Sequence, residues 1–218
     1  MDLSQGSKYF IKDIGVEPSI SEGEKWKLNQ RPIFKILMAT RMAKLAKRHD
    51  LLIKALSELD ASIAWELTLV GEGEKKEEIE ELILDLNLQK RIQIFPFMKQ
   101  EKLKKIMLDS DLLCLATDYE GLSKIIIESM SVGLPVLASD VVPLNQYIID
   151  GDNGYLAINT VMGWKEKFIQ IIKNKEQSEN VSSQAIKFIR NNYNPNKNIL
   201  MYEKEFLSLL ESKSQTTA

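Results

Sequence analysis

Two glutamates, Glu120 and Glu128, stand eight residues apart in the stretch DYEGLSKIIIESMSVGLPVLASD. This stretch predicts a loop, then a helix and then a short buried strand. Gly121 allows a tight turn before the helix, and Ser123 has a side chain suited to capping its start. The first backbone N–H groups of a helix have no partner within it and lie at the positive end of the helix dipole. Such a helix start can bind an anion, and phosphate is the usual one.

The other charged residues of interest extend this chemistry. Glu128 lies about 12 Å along from Glu120 if all eight residues rise helically, so it can reach a different part of an extended ligand. A carboxylate there could accept hydrogen bonds from both hydroxyls of a ribose. Arg41 and Lys47 flank a loop after the first predicted strand, where Arg offers a forked pair of donors and Lys a point charge for a diphosphate. Together the four residues describe a nucleoside diphosphate ligand.

Each of these features is weak when taken singly. Two glutamates eight apart arise readily in a chain with 31 acidic residues, and lysines in loops are usually surface charge. GEG at 71–73 lacks the remaining glycine of the dinucleotide fingerprint. His49, the single histidine, is interpreted as a helix-start residue and not as a catalytic base. Cys114, in the apolar run DLLCLA, is interpreted as a buried strand residue, because no base or metal-ligand spacing accompanies it.

The composition is that of a globular protein, with 44% hydrophobic and 28% charged residues among 218. A net charge of −2 argues against a nucleic-acid binder. The sequence shows no apolar run of about 18 residues and no signal-peptide core, which favours a cytoplasmic protein, with the inner face of the membrane as a further possibility. Membrane contact is then expected only through a domain outside this sequence.

Strand-like and helix-like segments alternate along the chain. Strands are predicted at 34–40, 66–73, 91–97, 111–117, 135–140 and 151–157, the second ending and the last beginning in a turn. Helices are predicted at 49–59, 74–88, 99–110, after Gly121, and near 161–173, 178–191 and 195–211. Alternation of this kind implies right-handed βαβ crossovers, and continuous apolar strands imply a parallel sheet covered on both faces.

We therefore predict an α/β fold with a Rossmann-like, doubly wound parallel sheet and a helical C-terminal appendage. The expected divisions are a linker or domain remnant at 1–32, the nucleotide-binding domain at 33–194, and a final helix with a frayed tail at 195–218. Ligands of such sheets bind beyond the carboxyl ends of the strands. This rule selects the loops at 39–48, 71–75, 96–100 and 117–124.

The order of these motifs is more informative than any of them singly. From about residue 33 to 210 the chain resembles the C-terminal domain of the family-4 retaining glycosyltransferases, which have the two-domain GT-B fold. The resemblance rests on ATRMAKLAKRHDLLIKAL, LTLVGEGEKKEEIEELILDLNL, RIQIFPFMKQEKLKKIMLDSDLLCLATDYEGLSKIIIESMSVGLPVLASD and GDNGYLA.

The resemblance implies roles for individual residues. Glu120 matches the family's catalytic-site glutamate near the anomeric carbon of the donor sugar, and Glu128 matches the glutamate that holds the ribose. The backbone amides of Leu122, Ser123 and Lys124 match those that meet the sugar hydroxyls and the diphosphate.

The loops after the first and third strands complete the implied site. Arg41 and Lys47 match the basic pair on the diphosphate, and Phe97 and Met98 fall where main-chain groups meet the base. The sequence departs from the family at Thr40 and at Pro96, both of which stand where the family commonly has glycine. It also has one extra residue between Arg41 and Lys47.

The resemblance implies the donor-binding half of a retaining glycosyltransferase that takes a UDP-, GDP- or ADP-sugar and needs no metal or other cofactor. The family's N-terminal acceptor domain is not in this sequence, and residues 7–20 are interpreted as its last part or as the linker. A fragment and a subunit of a split enzyme both remain open. The alternatives are a non-catalytic sugar-nucleotide-binding module that pairs with another protein and, less well supported, a sugar-nucleotide epimerase.

The last predicted helix adds an expectation about activity. In the family it crosses back to the N-terminal domain, so its apolar residues would be partly uncovered here; these are Leu200, Tyr202, Phe206 and Leu210. We therefore expect this chain alone to lack transferase activity and to present an apolar patch that recruits a partner or a second copy.

Overall fold

The computed structural model describes residues 24–28, 31–43, 46–193, 199–200, 203–204 and 206–207. Six parallel strands form one sheet in the order β3-β2-β1-β4-β5-β6. The strands are β1 Phe34–Ala39, β2 Trp65–Val70, β3 Ile92–Phe95, β4 Leu112–Leu115, β5 Val136–Ser139 and β6 Tyr155–Ala157. The predicted Rossmann-like sheet is confirmed, and each strand lies within its predicted segment or within one residue of it.

Helices connect the strands and cover both faces of the sheet. They are α1 His49–Ser57, α2 Lys76–Asp85, α3 Gln100–Asp109, α4 Lys124–Val132, α5 Leu144–Tyr147, α6 Val161–Lys173 and α7 Lys175–Asn192. None of the helices in the described part of the chain is long and apolar enough to cross a membrane.

The sequence missed one helix and misplaced the start of another. The single turn α5 is too short to show a helical period of apolar residues. α7 begins at Lys175, three residues before its predicted start near 178. The prediction missed its first turn because Lys175, Glu176 and Gln177 are polar and give no apolar periodicity. Of the predicted helix at 195–211, residues 199–200, 203–204 and 206–207 are helical, and the remainder lies outside the described residues.

The strands β1, β4 and β5 bury both of their faces, as their continuous apolar sequences predict. Ile36 and Met38 of β1 pack in an apolar cluster with α1, α2 and α6. Leu37, between them, points to the other face and packs in a second cluster with α3, α4 and α7. Burial of an aliphatic side chain of this size contributes about 1.5–3 kcal/mol. The sheet is therefore a stable platform for the loops at its carboxyl edge.

The part of the predicted linker that the structure describes is packed on the domain. The Trp26 side chain is 6% exposed, and its indole nitrogen donates to the Ser110 carbonyl at 2.7 Å. Its backbone amide donates to the Val132 carbonyl at 2.8 Å. These contacts attach residues 24–28 to the C-terminal ends of α3 and α4. The boundary at 32 stays a prediction, and residues 7–20 lie outside the described part of the chain.

Candidate functional site

The strand order reverses between β1 and β4, which are hydrogen-bonded neighbours at the centre of the sheet. From β1 the chain proceeds outward to β2 and β3, and from β4 it proceeds the other way to β5 and β6. Doubly wound sheets bind their ligands beyond the carboxyl ends of the strands at such a point of reversal, and here the loops that follow β1 and β4 lie there. These loops carry Arg41, Lys47 and Glu120.

Backbone contacts hold the two central loops together. Lys47 and Thr117 form an antiparallel bridge, and the Arg48 amide donates to the Ala116 carbonyl at 3.0 Å. The Thr117 hydroxyl donates to the Ala46 carbonyl at 3.1 Å. Because several hydrogen bonds join the two loops, the side chains that they carry have a defined relative position.

The loop after β2 supports the one that carries Arg41. The Met42 amide donates to the Glu72 carbonyl at 2.9 Å, and the Lys75 amide returns a bond to the Met42 carbonyl at 3.0 Å. Gly73 has a φ of +151°, and a Cβ on it would lie 2.3 Å from the Met42 carbonyl oxygen. The second glycine of GEG is therefore required for the close approach of two loop backbones. The Arg41 side chain is exposed at this edge, with its guanidinium 3.6 Å from Glu74.

The structure brings Lys47 and Glu120 into direct contact, although the sequence assigned them to different parts of a ligand. The Lys47 ammonium forms a short ion pair with one carboxylate oxygen of Glu120, and the other carboxylate oxygen accepts from the Gly121 amide at 3.1 Å. Both side chains are largely buried, at 16% and 18% exposed. A cation and a carboxylate therefore meet where β1 and β4 end.

The start of α4 is uncapped. Ser123 is the N-cap residue, but its side chain, although of a type suited to capping, makes no capping hydrogen bond. Ser123 is itself buried. The first turn of α4 contains no acidic residue, and it begins with the exposed Lys124. The loop residue Leu122 is 40% exposed. The start of α4 thus has neither the side-chain cap nor the acidic residue that commonly complements a helix N-terminus.

Glu128 lies in the second turn of α4 and faces the loop after β3. Its carboxylate accepts a hydrogen bond from the Gln100 side chain at 3.3 Å. Gln100 begins α3, directly after the segment that contains Phe97 and Met98. Phe97 is 58% exposed, whereas Met98 is half-buried against the second apolar cluster. The structure therefore places the predicted ribose-binding carboxylate near the predicted base-binding loop.

Two residues near the site were missed by sequence reasoning. The Asn159 side-chain amide, just beyond β6, donates to the Thr117 carbonyl at 2.7 Å and to the Asp118 carboxylate at 3.1 Å. Applying the strand-end rule to β6 as well would have selected it. Tyr147, the last residue of α5, has a buried hydroxyl near the start of α4. No pattern in the sequence marks it, because α5 itself was not predicted.

Three titratable groups with shifted pKa values lie at the start of α1. Arg48 pairs with Asp50 at 3.0 Å and with Asp118 at 3.1 Å, and the hydrogen bonds to Asp50 raise the pKa of Arg48 above its ordinary value. Burial lowers the pKa of His49 to about 4, with smaller contributions from nearby charges. His49 is the first residue of α1, as predicted, and it stays neutral near pH 7.

Cys114 is buried in β4, as predicted, and burial raises the pKa of its thiol well above the ordinary value. The thiolate is the nucleophilic form of cysteine, so this residue is unreactive in the folded protein. Among the described residues, no cluster of at least three histidine, cysteine, aspartate or glutamate side chains could hold a metal ion.

Solved structures with the same fold are glycosyltransferases and a related synthase. Anabaena HepE, solved with UDP and glucose, aligns with a TM-score of 0.72 at 21% identity, over 81% of this chain and 48% of that one. Sucrose-phosphate synthase from Thermosynechococcus elongatus aligns with a TM-score of 0.74 at 20% identity, over 84% and 46%. The doubly wound sheet is thus the architecture of one half of larger GT-B enzymes.

The sequence carries the classification further. Residues 21–188 match the family of glycosyl transferases group 1, and this chain belongs to that family. N-acetyl-alpha-D-glucosaminyl L-malate synthase from Bacillus anthracis is 25% identical over 93% of this chain and 51% of its own length. Alpha-D-kanosaminyltransferase from Streptomyces kanamyceticus is 31% identical over 66% of this chain and 37% of its own length. The chain spans about half, or less, of the curated relatives that it matches.

Proposed function

We propose that this chain is the donor-binding half of a retaining glycosyltransferase and that it binds a nucleoside diphosphate sugar at the carboxyl edge of β1 and β4. The uncapped start of α4 carries the proposal. Ser123 there offers no capping bond, and the first turn carries a lysine where most other helices of this chain carry an acid. An anionic ligand would satisfy those amides and meet the positive end of the helix dipole.

The residues around the start of α4 fit the parts of such a ligand. Lys47 and the exposed Arg41, on the adjacent loop, are the cations for the diphosphate. The backbone of Gly121, Leu122 and Ser123 forms the turn over which the sugar and the phosphates would lie. Most of this turn is exposed, and it is connected to the sheet through the bonds that Thr117 makes.

The two glutamates then mark the two ends of the donor. Glu120, paired with Lys47 where the strand order reverses between β1 and β4, would lie at the sugar end and face the anomeric carbon. Glu128, four residues into α4, would accept hydrogen bonds from the ribose hydroxyls, beside the loop of Phe97 and Met98 that would meet the base. HepE, which was solved with UDP and glucose, and the kanosaminyltransferase support a nucleotide-sugar donor.

Transfer requires an acceptor held within about 3–3.5 Å of the anomeric carbon. In the proposal the acceptor site is supplied by an N-terminal domain or a partner subunit, because the chain corresponds to about half of the length of its relatives. The reaction would leave the anomeric configuration unchanged and would use no metal ion. Ile199, Leu200, Phe206 and Leu207, helical residues near the C-terminus, are all more than half exposed and fit the predicted contact with that second half; Tyr202 and Leu210 lie outside the described residues.

Ligand binding by the chain is the direct test. A thermal-shift screen with UDP-, GDP- and ADP-sugars, followed by calorimetry, should give weak binding to at least one of them. Glu128→Ala should then lose about 1.5–3 kcal/mol, or roughly ten- to hundredfold in affinity, because hydrogen bonds to a charged group contribute about that much. Melting temperature should change little.

A matched control separates the ribose contact from a general effect of lost charge. Glu81 is an exposed glutamate on α2, and Glu81→Ala should leave nucleotide affinity unchanged. Absence of binding for all three bases at millimolar concentration would contradict the proposed function. A fall in stability without a fall in affinity would show that Glu128 has a structural role.

A further inference from the structure

The loop that carries Glu120 makes few backbone contacts with the rest of the chain. At its beginning, the Asp118 amide donates to the Ala46 carbonyl at 2.8 Å. From residue 119 to residue 122, no backbone amide donates to a backbone carbonyl of any residue that the structure describes. The position of Glu120 therefore depends on how Asp118, two residues before it, is held.

Two side chains from other elements hold the Asp118 carboxylate. Arg48, directly before α1, donates to both carboxylate oxygens, at 3.1 and 3.2 Å. Asn159, just beyond β6, donates its side-chain amide to one of these oxygens at 3.1 Å and to the Thr117 carbonyl at 2.7 Å. The loop after β4 is thus joined to the loop after β1 and also to the end of β6, although β5 lies between β4 and β6 in the sheet.

The chemistry of these contacts fixes the orientation of the Asn159 amide. A backbone carbonyl and an ionised carboxylate can only accept hydrogen bonds, so the amide nitrogen must face Thr117 and Asp118. The amide oxygen is shielded from water and has no partner among the residues that the structure describes. Buried amide oxygens are usually satisfied, so the two bonds that the nitrogen makes are formed at a cost.

Stability of the fold does not account for this arrangement. The Asp118 side chain is 52% exposed and that of Arg48 is 33% exposed, and ion pairs that water reaches contribute little to the free energy of unfolding. Arg48 also has a second carboxylate partner, because two of its nitrogens donate to Asp50 at 3.0 and 3.1 Å. The contacts of Asp118 therefore supply a defined position to the loop more than they supply energy.

We propose that Asn159 is a positioning residue for Glu120 and that it acts through Asp118. Asn159 and Arg48 together hold the Asp118 carboxylate, and the short backbone segment that follows then brings the Glu120 carboxylate to Lys47 where β1 and β4 end. The positioning rests only on these contacts, whereas its use in holding a donor sugar rests on the proposed function.

The Lys47 ammonium reports the position of Glu120, because the two side chains form an ion pair. In protein labelled with ¹⁵N at the lysine Nζ, Lys47→Arg assigns the Lys47 signal, and Glu120→Gln shows where that signal lies when the pair is lost. Asn159→Asp keeps the shape of the side chain and replaces the donor by an oxygen that faces two acceptors. In this variant the Lys47 signal should move toward its position in Glu120→Gln.

Asn145 provides a matched control. Its side-chain amide donates to the Asp140 carboxylate at 2.8 Å beyond the end of β5, so Asn145→Asp adds the same charge beside the same kind of partner. It should leave the Lys47 signal in place. Both variants should lower the melting temperature by only about 2–4 °C, because exposed charge pairs contribute little to stability.

A second substitution tests whether Asn159 acts through Asp118. Adding Asp118→Asn to Asn159→Asp exchanges the amide and the carboxylate, which restores a hydrogen bond between the two positions, so the Lys47 signal should return part of the way. Asn159→Ala removes the bonds without adding a charge and should move the signal less, in the same direction. It also replaces the aspartate variant if that variant does not fold.

A Lys47 signal that stays in place in both Asn159 variants would overturn the proposal. An equal movement in Asn145→Asp would also overturn it, because the signal would then report added charge at this edge of the sheet. A signal that does not return at all in the double variant would show that Asn159 does not act through Asp118.

Donor binding provides the second measurement. Asn159→Asp should bind the best UDP-, GDP- or ADP-sugar roughly three- to tenfold more weakly, which is part of what one hydrogen bond to a charged group contributes. Asn145→Asp should bind it as the wild type does. Unchanged affinity in Asn159→Asp would overturn the use of this positioning in donor binding. Movement of the Lys47 signal in a protein that binds none of these sugars would refute the proposed function and leave the positioning of Glu120 standing.

Discussion

The starts of α4 and α6 lie in equivalent places in the fold, but only the start of α6 is capped by a side chain. Each helix begins just beyond the carboxyl end of a parallel strand, and each has a hydroxyl residue at its N-cap. Thr160 accepts a hydrogen bond from the Gly163 amide at 3.0 Å and thereby caps α6. Ser123 makes no such bond, although its backbone is extended in the same way.

The remaining helices show that this difference is specific to α4. The first turns of α1, α2, α3 and α7 all contain an aspartate or a glutamate, which complements the helix dipole. Of the six helices with nine or more residues whose bounds the described residues define, α4 alone has neither a side-chain cap nor an acid in its first turn. A helix start kept free of the usual anionic partners is suited to an anion from outside the protein.

The start of α1 extends the comparison to a buried histidine. His49 has a pKa of about 4 in the folded protein, well below the ordinary 6.5, chiefly because it is buried. As pH falls from 6.5 toward 4, the unfolded chain takes up a proton that the folded chain does not, so the free energy of unfolding falls. The loss should reach about 3 kcal/mol by pH 4.

Urea denaturation between pH 7 and pH 4 measures this loss. The lowered pKa values of Asp50 and Asp109 affect stability mainly below this window, because their ordinary value is 3.8. His49→Leu should therefore flatten the pH dependence even if it changes the overall stability. An equally steep dependence in the variant would show that another group is responsible.

An acid placed at the start of α4 should make that start resemble the others. Lys124→Glu adds an acidic residue to the first turn and should stabilise the helix by about 0.3–1 kcal/mol. The same charge should repel a nucleoside diphosphate by about 2 kcal/mol, which is roughly a thirtyfold loss of affinity. Calorimetry with the best nucleotide from the screen measures the loss.

Two further variants identify the cause of the loss of affinity in Lys124→Glu. Lys124→Gln removes the positive charge without adding a negative one and should have a smaller effect. Met162→Glu adds an acid to the first turn of α6, where the side chain is exposed, and should leave binding unchanged. If Met162→Glu weakened binding as much as Lys124→Glu, the start of α4 would not be the anion site.

The smallest effect concerns the caps themselves. Thr160→Ala removes the capping bond of α6 and should lower the free energy of unfolding by about 1 kcal/mol. Ser123→Ala removes no capping bond, so the loss should be below about 0.5 kcal/mol. Denaturant titration of both variants, with Thr160→Ser as the conservative control, makes the comparison. Equal losses would mean that Ser123 stabilises α4 after all.

Local sequence predicted the sheet well because β1, β4 and β5 are buried on both faces. The apolar runs around Ile36, Leu113 and Leu137 can only be interior, and the polar and glycine-containing segments between them can only be loops and helix starts. The strand-end rule then placed Arg41, Lys47 and Glu120 at one edge of the sheet. Family resemblance added the roles of Glu120 and Glu128, and these roles remain predictions.

Contacts between loops decided what local sequence could not. The ion pair between Lys47 and Glu120 joins positions 73 residues apart. Asn159 reaches the loop after β4 only because β6 lies in the same sheet.

The sequence by itself therefore determined the order of strands and helices and the loops in which chemistry can occur, since hydrophobic periodicity and turn residues act over a few neighbours. Only the tertiary structure decided which charges in those loops are paired and which helix start is left without a side-chain cap or an acid. Those properties depend on the distances and solvent exposure that arise when loops remote in sequence pack against one another.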